Sequence, residues 1–453
     1  MSTLEQYIKE KYNDPYWFVE FVNEIHNQQR VQDVVSKKEY LNGSHAILKR
    51  QSYKYNGKEF HPRKIVLQYA KTLLNFQKAY LLQYPVTLTG DKKVIEEFSK
   101  VNKKAKFDRT NIKLLDKVLK YGMCAEYLYI DNGVIKSKIL DPSEFYPLYD
   151  HEQNLIAVVE AYIVDGISYY TVFTDKTVEK YSDAGGQMKL RERYASLSGL
   201  PIIYHNDNEM DETQGKSELD DWISILDGLE DLLSKYMDAT YKFIDPLFIV
   251  SGQTLKGQNI DSSVVGKGIN LDDGADAKFV NSQLDYKSFE TIYKTLLQSL
   301  LDVSSTPAVS MNKTDISNLS EVSIKLLFQL STIKAGRNEQ FMREGLEQKF
   351  NKIRRLLEGY RNISFTDDEF DSLDLVFTYA TPSNDKEIID NMKTLREMGA
   401  ISLEGILEDS PFTTDVQYEL NRIKSEGKGI VQVDNINDDS LSYDNKKDEG
   451  LAV

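Results

Sequence analysis

The chain of 453 residues contains little of the chemistry from which most catalytic and metal sites are built. It has one cysteine, Cys124, and five scattered histidines. A single cysteine excludes an internal disulfide framework and a cysteine-based zinc cluster, and scattered histidines argue against a histidine-rich metal centre. Because Cys124 lies in an apolar run, we expect it to be a small buried side chain and not a nucleophile.

Long apolar runs and excess positive charge are also missing. No stretch approaches the roughly 18 uninterrupted apolar residues that indicate a membrane span, and the polar N-terminus does not resemble a signal peptide. Lysine and arginine total 56 against 71 for aspartate and glutamate, a net charge of −15. This balance disfavours a protein that binds nucleic acid over a broad basic surface, but it permits contact through a few lysines. These features predict a soluble, intracellular chain.

Motifs for catalysis and nucleotide binding are absent or incomplete. Residues 252–257 have the glycine spacing of a phosphate loop, but Gln258 replaces the lysine that would reach the phosphates. The acidic stretch 207–218 has carboxylates at calcium-loop positions but lacks the glycine that the sharp turn needs. An acid–base role for His45 or His61 stays open, although no carboxylate–histidine spacing supports one. We therefore predict no enzyme activity, no cofactor and no metal site.

The apolar pattern of the first half predicts an α+β domain. Helical spacing covers 63–84 and 108–121, with Asp108 or Thr110 as a candidate cap at the start of the second helix and Gly122 after its end. β-rich runs then follow, separated by turns at Asn132-Gly133, Asp141-Pro142 and Asp165-Gly166.

The second half is mainly helical in pattern. Apolar stripes predict helices at 217–243, with Ser217 as its N-cap, and at 286–302, although both stripes could instead belong to an intrachain core. Between them lies a module rich in Gly, Ser and Asp, and 303–319 has the composition of an irregular loop. The remaining predictions are a helix over 320–358 bent near Gly336, one or two strands in 359–381, helices at 384–398, 402–408 and 414–426, and a disordered acidic tail.

Several segments, in a fixed order over most of the chain, resemble the portal proteins (head–tail connectors) of tailed bacteriophages. The branch is that of long-tailed phages of Gram-positive hosts. Each segment alone is weakly specific, whereas their order is much more specific. The segments include EYLNGSHAILKR, NFQKAYLLQYPVTLTG, KYGMCAEYLYID, LDPSEFYPLYD, LLQSLLDVSSTPAVSMN and PSNDKEIIDNMKTLREMGAISLEGILEDSPFTTDVQYELNRIKSE.

The resemblance implies a portal-type α+β architecture of wing, stem, clip and crown that assembles into a ring. The modest crown departs from the family pattern. The implied regions are a wing at 1–215, stem helices at 216–246 and 286–302, a clip at 247–285, a tunnel loop at 303–319, a return to the wing at 320–381, and a crown with an acidic tail at 382–453.

The resemblance also implies a function and partners. The ring, usually a dodecamer, would sit at one capsid vertex of the virion after assembly in the host cytoplasm, and double-stranded DNA would pass through it during packaging, retention and ejection. The implied partners are the terminase large subunit, the major capsid and scaffolding proteins, and a head-completion adaptor, with no membrane. A non-enzymatic oligomeric scaffold or adaptor of head assembly is the alternative. A packaging ATPase or nuclease would need motifs that the chain lacks.

The residues expected to contact DNA are few because a conduit must not hold its cargo. Each phosphate that a lysine or arginine neutralises strengthens binding through counterion release. The candidates are Lys313 with Asn312 and Thr314 in the tunnel loop, and secondarily Lys287 and Lys294. For Lys313, the competing interpretation is an ordinary exposed loop lysine.

Overall fold

The chain forms both α-helices and antiparallel β-sheets, which confirms the predicted α+β class. A computed structural model describes residues 3–55, 58–243, 247–251, 276–280, 285–308, 320–413 and 416–425. These residues fall into two compact units, drawn from Met1–Ile316 with Lys325–Thr381 and from Ser317–Ile324 with Pro382–Val453. None of the helices in the described ranges combines the length and the apolar character that a membrane span requires.

The α-helices vary from short segments to one of 33 residues. A 3-10 turn at Ala46–Lys49 follows the third helix. In chain order the helices are α1 Thr3–Lys11, α2 Trp17–Val22, α3 Ile25–Leu41, α4 Tyr69–Leu82, α5 Lys92–Ala105, α6 Phe107–Tyr121, α7 Leu219–Phe243, α8 Tyr286–Val303, α9 Glu321–Leu327, α10 Gln329–Arg361, α11 Asp367–Asp371, α12 Asp385–Glu397, α13 Leu403–Asp409 and α14 Val416–Ser425.

The strands form antiparallel sheets. Their order is β10-β9-β8-β7-β6 in the five-stranded sheet, β11-β4-β5 in the three-stranded sheet, and β1-β2, β12-β13 and β14-β3 in two-stranded pairs. The strands are β1 Tyr53–Tyr55, β2 Lys58–Phe60, β3 Thr87–Thr89, β4 Met123–Asp131, β5 Val134–Leu140, β6 Phe145–Tyr149, β7 Leu155–Val164, β8 Ile167–Phe173, β9 Thr177–Ser182, β10 Lys189–Ala195, β11 Ile202–His205, β12 Leu247–Ser251, β13 Asp276–Val280 and β14 Asp374–Val376.

Two tight turns lie where the sequence predicts them. Asn132 and Gly133 join β4 to β5 with φ values of +50° and +75°, and Asp165 and Gly166 join β7 to β8 with +52° and +75°. Two successive residues of positive φ define the type I′ turn, whose twist matches that of the flanking strands. Asn-Gly and Asp-Gly pairs adopt this conformation at little cost, so local chemistry determined both hairpins.

Strand β7, which pairs with β6 and β8, is buried on both faces over residues 157–160, which explains its nearly continuous apolar sequence. Ala157 and Val159 pack in a cluster with the aromatic side chains of α2, whereas Val158 packs in a cluster with residues of the three-stranded sheet. Successive strand residues point to opposite faces, so neighbouring positions enter different cores. Burying a valine side chain contributes about 1.5–3 kcal/mol, so both cores stabilise this strand.

The junction between α6 and β4 follows part of its prediction. Gly122 ends α6 at φ +86°, and a Cβ atom there would lie 2.2 Å from the Gly215 carbonyl oxygen. The predicted caps at Asp108 and Thr110 are wrong, because α6 begins after Lys106, which has left-handed geometry and makes no side-chain cap bond. A close turn from α5 into α6 therefore replaces a side-chain cap.

Cys124 lies on β4 and is fully buried, as the sequence predicts. Its thiol donates to the Leu114 carbonyl at 3.6 Å, and burial raises its pKa. A thiol that stays protonated and inaccessible packs as a small apolar side chain.

Three helical predictions need correction. The helix expected over 63–84 begins only at Tyr69. The helix expected over 320–358 is interrupted at Phe328, where α9 and α10 meet, and does not break at Gly336. The Phe328 ring is buried and stacks on Tyr80 with ring centroids 6.0 Å apart, which holds the chain at that point. Ser217 accepts the N–H of Leu219 as predicted, but α7 begins at Leu219 itself.

The stretch 359–381 contains one strand, at the lower end of the predicted one or two. That strand is β14, and the short helix α11, which was not predicted, precedes it. Thr366 and Glu369 form a capping box, in which each side chain accepts the backbone N–H of the other residue. This polar pairing starts a short helix in the acidic segment that precedes β14.

The three C-terminal helices agree closely with the predicted ranges. They are α12, α13 and α14. Ser402 caps α13 by accepting the Gly405 N–H at 3.0 Å. Thr414, in the predicted first turn of the last helix, and the acidic tail lie outside the described residues.

A buried ion pair joins the long helix α10 to the three-stranded sheet. Lys349 Nζ lies 2.9 Å from Glu126 Oε1, and both side chains are almost fully buried. Tyr204 donates its hydroxyl to Glu126 Oε2 at 2.9 Å, and Lys349 also donates to Asn111 at 3.2 Å. Burial lowers the pKa of Lys349, whereas Glu126 opposes that effect. These hydrogen bonds compensate the desolvation of both charges.

One turn of α10 needs a glycine because an aromatic ring lies against it. A Cβ atom at Gly345 would lie 2.3 Å and 2.4 Å from carbons of the Tyr204 ring. That ring is itself held by its hydrogen bond to Glu126. The absence of a side chain at Gly345 therefore allows α10 to approach β11 closely.

We predict that Gly345→Ala destabilises the protein by about 1–3 kcal/mol, the usual range for overpacking a core. Helix propensity alone predicts the opposite sign, a gain of about 1 kcal/mol. Gly359→Ala is the matched control, because it lies on the same helix with no atom within 4 Å of the added Cβ. Urea unfolding monitored by circular dichroism measures both variants, and equal stabilisation by the two changes would contradict the proposed contact.

Candidate functional site on the paired helices

The two long helices on either side of residues 244–285 pack against each other through aromatic rings. The Tyr236 ring of α7 stacks on Phe289 of α8, with centroids 3.8 Å apart and an interplanar angle of 19°. The Tyr293 hydroxyl lies 3.2 Å from that of Tyr69 on α4. Burial and this hydrogen bond raise the pKa of Tyr293 to about 12. Aromatic stacking and one hydroxyl pair thus position α8.

The apolar stripe predicted for α7 covers only part of its buried surface. Leu219, Trp222, Leu226 and Leu229 are fully buried, as their spacing indicates. Farther along, Met237 is 37% exposed. The buried positions in this second half of α7 are polar, namely Glu230, Ser234 and Asp238.

These three side chains, called here the polar row, bind the backbone of an extended segment at 63–67. The three side chains accept the N–H groups of three alternate residues of that segment, one N–H each. Four residues of α-helix rise about 6 Å, and two residues of extended chain span about 6.6 Å, so the two spacings match. The hydrogen bonds are Arg63 N–H to Asp238 Oδ1 at 2.8 Å, Ile65 N–H to Ser234 Oγ at 3.0 Å, and Leu67 N–H to Glu230 Oε1 at 2.7 Å.

The polar row explains why the helix predicted from residue 63 starts late. N–H groups that donate to α7 are not available for hydrogen bonds within a helix, so the chain stays extended until α4 begins at Tyr69. Arg50 also donates to Asp238, at 3.0 Å, which neutralises that buried carboxylate. Sequence reasoning missed the row, although the i, i+4, i+8 spacing of its three polar residues is visible in the sequence.

Lys287 and Lys294, the secondary DNA-contact candidates, both lie exposed on α8. Lys294 Nζ is 2.6 Å from Glu290 Oε1, and this hydrogen bond raises the pKa of Lys294. Lys287 makes no ion pair among the residues that the structure describes. The charge of Lys294 is therefore already matched by a carboxylate, whereas that of Lys287 is available to a partner.

The primary candidates, Lys313, Asn312 and Thr314, lie outside the described residues. The described chain that leads to them is firmly held. Gln77 of α4 donates to the Ser304 carbonyl at 3.1 Å, and Ser331 of α10 donates to the Ser305 carbonyl at 2.6 Å. The segment that follows α8 is thus attached to two other helices.

The acidic stretch before α7 pairs with cations of the protein itself. Asp207 forms an ion pair with Arg337, and Glu218 lies 2.7 Å from Lys334. Asp211 instead accepts the backbone N–H groups of Thr213 and Gln214. These contacts hold the acidic stretch against the chain's own cations and backbone as it leads into α7. The phosphate-loop residues 252–257 and Gln258 lie outside the described ranges.

Comparison with known proteins gives one curated relative. It is the portal protein of Bacillus phage SPP1, which is 22% identical over 413 residues, covering 84% of this chain and 79% of the relative.

Solved structures of gene transfer agent (GTA) particles are also similar. A chain of the virion of a native GTA particle is 10% identical at a TM-score of 0.45, covering 83% of this chain and 92% of the other. A chain from the neck of an empty GTA particle, computed with C6 symmetry, is 8% identical at a TM-score of 0.47. The match covers 78% of this chain and 88% of the other. A chain from the neck of a native GTA particle, computed with C12 symmetry, is 10% identical at a TM-score of 0.44. The match covers 74% of this chain and 86% of the other.

The family match is the decisive comparison. The model of the family described as phage portal protein, SPP1 Gp6-like, matches residues 22–433. This range includes both long helices and the polar row. The resemblance seen in the ordered sequence segments is thereby confirmed. The chain belongs to the SPP1 Gp6-like family of phage portal proteins, the head–tail connectors.

Proposed function

We propose that identical copies of this chain form a closed ring, expected to be a dodecamer, at one vertex of a phage capsid. Double-stranded DNA enters along the axis during packaging, is retained there, and leaves by the same route at ejection. The observation that carries the proposal is membership of the portal family over residues 22–433. The mature ring belongs to the virion, and assembly takes place in the host cytoplasm.

The proposed ring assigns a role to each region of the chain. The regions keep the ranges given from the sequence, with a wing at 1–215, stem helices at 216–246 and 286–302, a clip at 247–285, a tunnel loop at 303–319, a return to the wing at 320–381 and a crown at 382–453. The division of the described residues into two compact units near residue 381 supports a separate crown. The pairing of β12 with β13 supports a compact clip between the stem helices.

The proposed partners follow from a structural role at the vertex. The ring contacts the major capsid and scaffolding proteins during assembly, the terminase large subunit during packaging, and a head-completion adaptor afterwards. Portal proteins are structural components, and we assign no catalytic step to this chain.

Ring closure requires heterologous contacts, in which one surface of a subunit meets a different surface of its neighbour. Exposed apolar side chains on the paired helices offer such a surface. Tyr286 and Ile292 of α8 are 59% and 49% exposed in the single chain, and Tyr241 of α7 is 49% exposed. Burying these side chains between neighbouring copies would contribute to closure through the hydrophobic effect.

A conduit for DNA must contact the duplex weakly. A net charge of −15 per chain limits the number of phosphate contacts, and each avoided contact lowers the salt-dependent affinity. We propose that Lys313, with Asn312 and Thr314, meets the DNA in the tunnel loop, and that Lys287 contributes on α8. Lys294 contributes less, because Glu290 already matches its charge.

The first prediction concerns assembly. Purified full-length protein should form rings of about a dozen chains, since identical heterologous contacts that close by rotation give a defined subunit number. Native mass spectrometry gives the subunit number, and end-on class averages in negative-stain microscopy give the central hole. Compact single particles without a hole, both free and in capsid assemblies, would rule out the ring. Intact oligomers that never co-purify with DNA-filled capsids would favour the scaffold alternative.

The second prediction concerns the tunnel loop. Deletion of residues 307–315 should leave ring assembly intact and reduce the fraction of DNA-filled particles, because the loop is proposed to contact DNA and not neighbouring subunits. Particle counts by microscopy, together with native mass spectrometry of the variant, separate the two effects. If the variant fails to assemble, the segment is structural and the assignment is wrong.

The third prediction separates the two lysines of α8. Lys287→Gln should reduce DNA packaging or retention more than Lys294→Gln. Lys294 pairs with Glu290, whereas Lys287 has no carboxylate partner among the described residues. Packaged DNA per particle is the measurement, and Lys294→Gln is the matched control on the same helix. Equal effects of the two variants would show that local ion pairing does not decide which lysine contacts DNA.

A further inference from the structure

A histidine and two carboxylates meet where the end of α3 approaches α7. His45 follows the Asn42-Gly43 turn, and Asp227 and Glu230 lie three residues apart on one face of α7. Potential ligand atoms of these three residues, called here the His45 cluster, all lie within 4.8 Å of one another. Within the described ranges, no other group of three or more histidine, cysteine, aspartate or glutamate side chains meets this criterion.

The cluster is held in place before any ligand binds. His45 Nδ1 lies 2.7 Å from Glu230 Oε1, and their side chains are 1% and 0% exposed. Glu230 Oε1 also accepts the Leu67 N–H as part of the polar row. The Tyr40 ring stacks on the imidazole with centroids 3.9 Å apart. Packing and hydrogen bonds therefore fix the orientation of both the histidine and the glutamate.

Three polar atoms of the cluster are buried without a hydrogen-bond partner among the described residues, and so is the hydroxyl of the adjacent Tyr40. The three cluster atoms are His45 Nε2, Asp227 Oδ1 and Glu230 Oε2. Buried polar atoms are almost always hydrogen-bonded in folded proteins, because leaving one unsatisfied retains the full desolvation penalty. Four such atoms on mutually adjacent residues indicate a site that takes up a polar ligand.

The charge of the cluster favours a cation. Among the described residues, neither Asp227 nor Glu230 forms an ion pair with lysine or arginine, whereas Asp238 of the same helix is matched by Arg50 at 3.0 Å. Burial raises the pKa of both Asp227 and Glu230, and the charge of His45 opposes that effect. Two carboxylates side by side in a poorly solvated place are stabilised by a nearby positive charge.

We propose that the His45 cluster binds one divalent transition-metal ion per chain, with Zn²⁺ the expected ion, through the His45 imidazole and the carboxylates of Asp227 and Glu230. Imidazole nitrogen and carboxylate oxygen are both ordinary zinc ligands, at about 2.0–2.2 Å, so ligand atoms within 4.8 Å of one another need only small side-chain adjustments. Two carboxylates balance the charge of the ion.

The bound ion would tie the segment after α3 to α7. This inference does not depend on the proposed ring or on DNA passage, because all three ligands belong to one chain. An ion that binds the folded chain and not the unfolded one stabilises the fold by mass action.

The test uses full-length protein that has been treated with EDTA and transferred to metal-free buffer. Zn²⁺ alone is titrated by calorimetry, and bound metal is measured by elemental mass spectrometry after desalting. We expect one Zn²⁺ per chain and a raised melting temperature. Co²⁺ as a second probe should give visible absorption bands of a nitrogen- and oxygen-coordinated ion.

Asp227→Asn is the diagnostic variant, because the Asp227 carboxylate accepts no hydrogen bond from the described residues and its replacement should leave the fold intact. It should weaken Zn²⁺ binding at least tenfold and abolish the rise in melting temperature. Asp231→Asn is the control on the same helix, since its carboxylate pairs with Lys235 at 2.7 Å and lies outside the cluster. Absence of stoichiometric Zn²⁺ in the wild type, or unchanged binding in Asp227→Asn, would overturn the proposal.

Discussion

The fold around the paired helices depends on one set of hydrogen bonds, those between the polar row of α7 and the extended segment 63–67. A buried backbone N–H must find an acceptor, and here three side chains of one helix supply them at every second residue. Four residues of helix and two residues of extended chain span nearly equal distances, so the same pairing repeats along α7. It holds the second half of α7 against segment 63–67 through polar contacts, and it explains why α4 begins only at Tyr69.

A second buried polar contact holds helix α10 in place. The pairing of Lys349 with Glu126 links α10 to the sheet that contains β4 and β11. Removing one partner of such a pair typically costs about 3–5 kcal/mol, because the remaining charge stays buried. Gly345 lies one turn away and lets the same helix approach Tyr204. Charge, hydrogen bonding and close packing therefore specify a single placement of α10.

The proposed passage of DNA through a ring would require a rigid body that binds DNA weakly. Buried polar contacts that join distant segments would supply the rigidity, and a net charge of −15 per chain would disfavour tight binding to phosphates. The local pairing of Lys294 with Glu290 illustrates how an exposed cation loses attraction for phosphate. A protein that let DNA move in both directions would benefit from both properties.

The amino-acid sequence alone determined the features that depend on neighbouring residues. It predicted the hairpins at Asn132-Gly133 and Asp165-Gly166, the helix end at Gly122, the α+β class and the portal family. It did not predict the extended segment 63–67, the polar row or the His45 cluster, and the tunnel-loop lysine stays a prediction. Hairpins and helix ends follow from backbone preferences over a few residues, whereas a buried polar partner is chosen by the packing of segments far apart in the chain. Only the tertiary structure decides which carboxylate meets which N–H group or histidine.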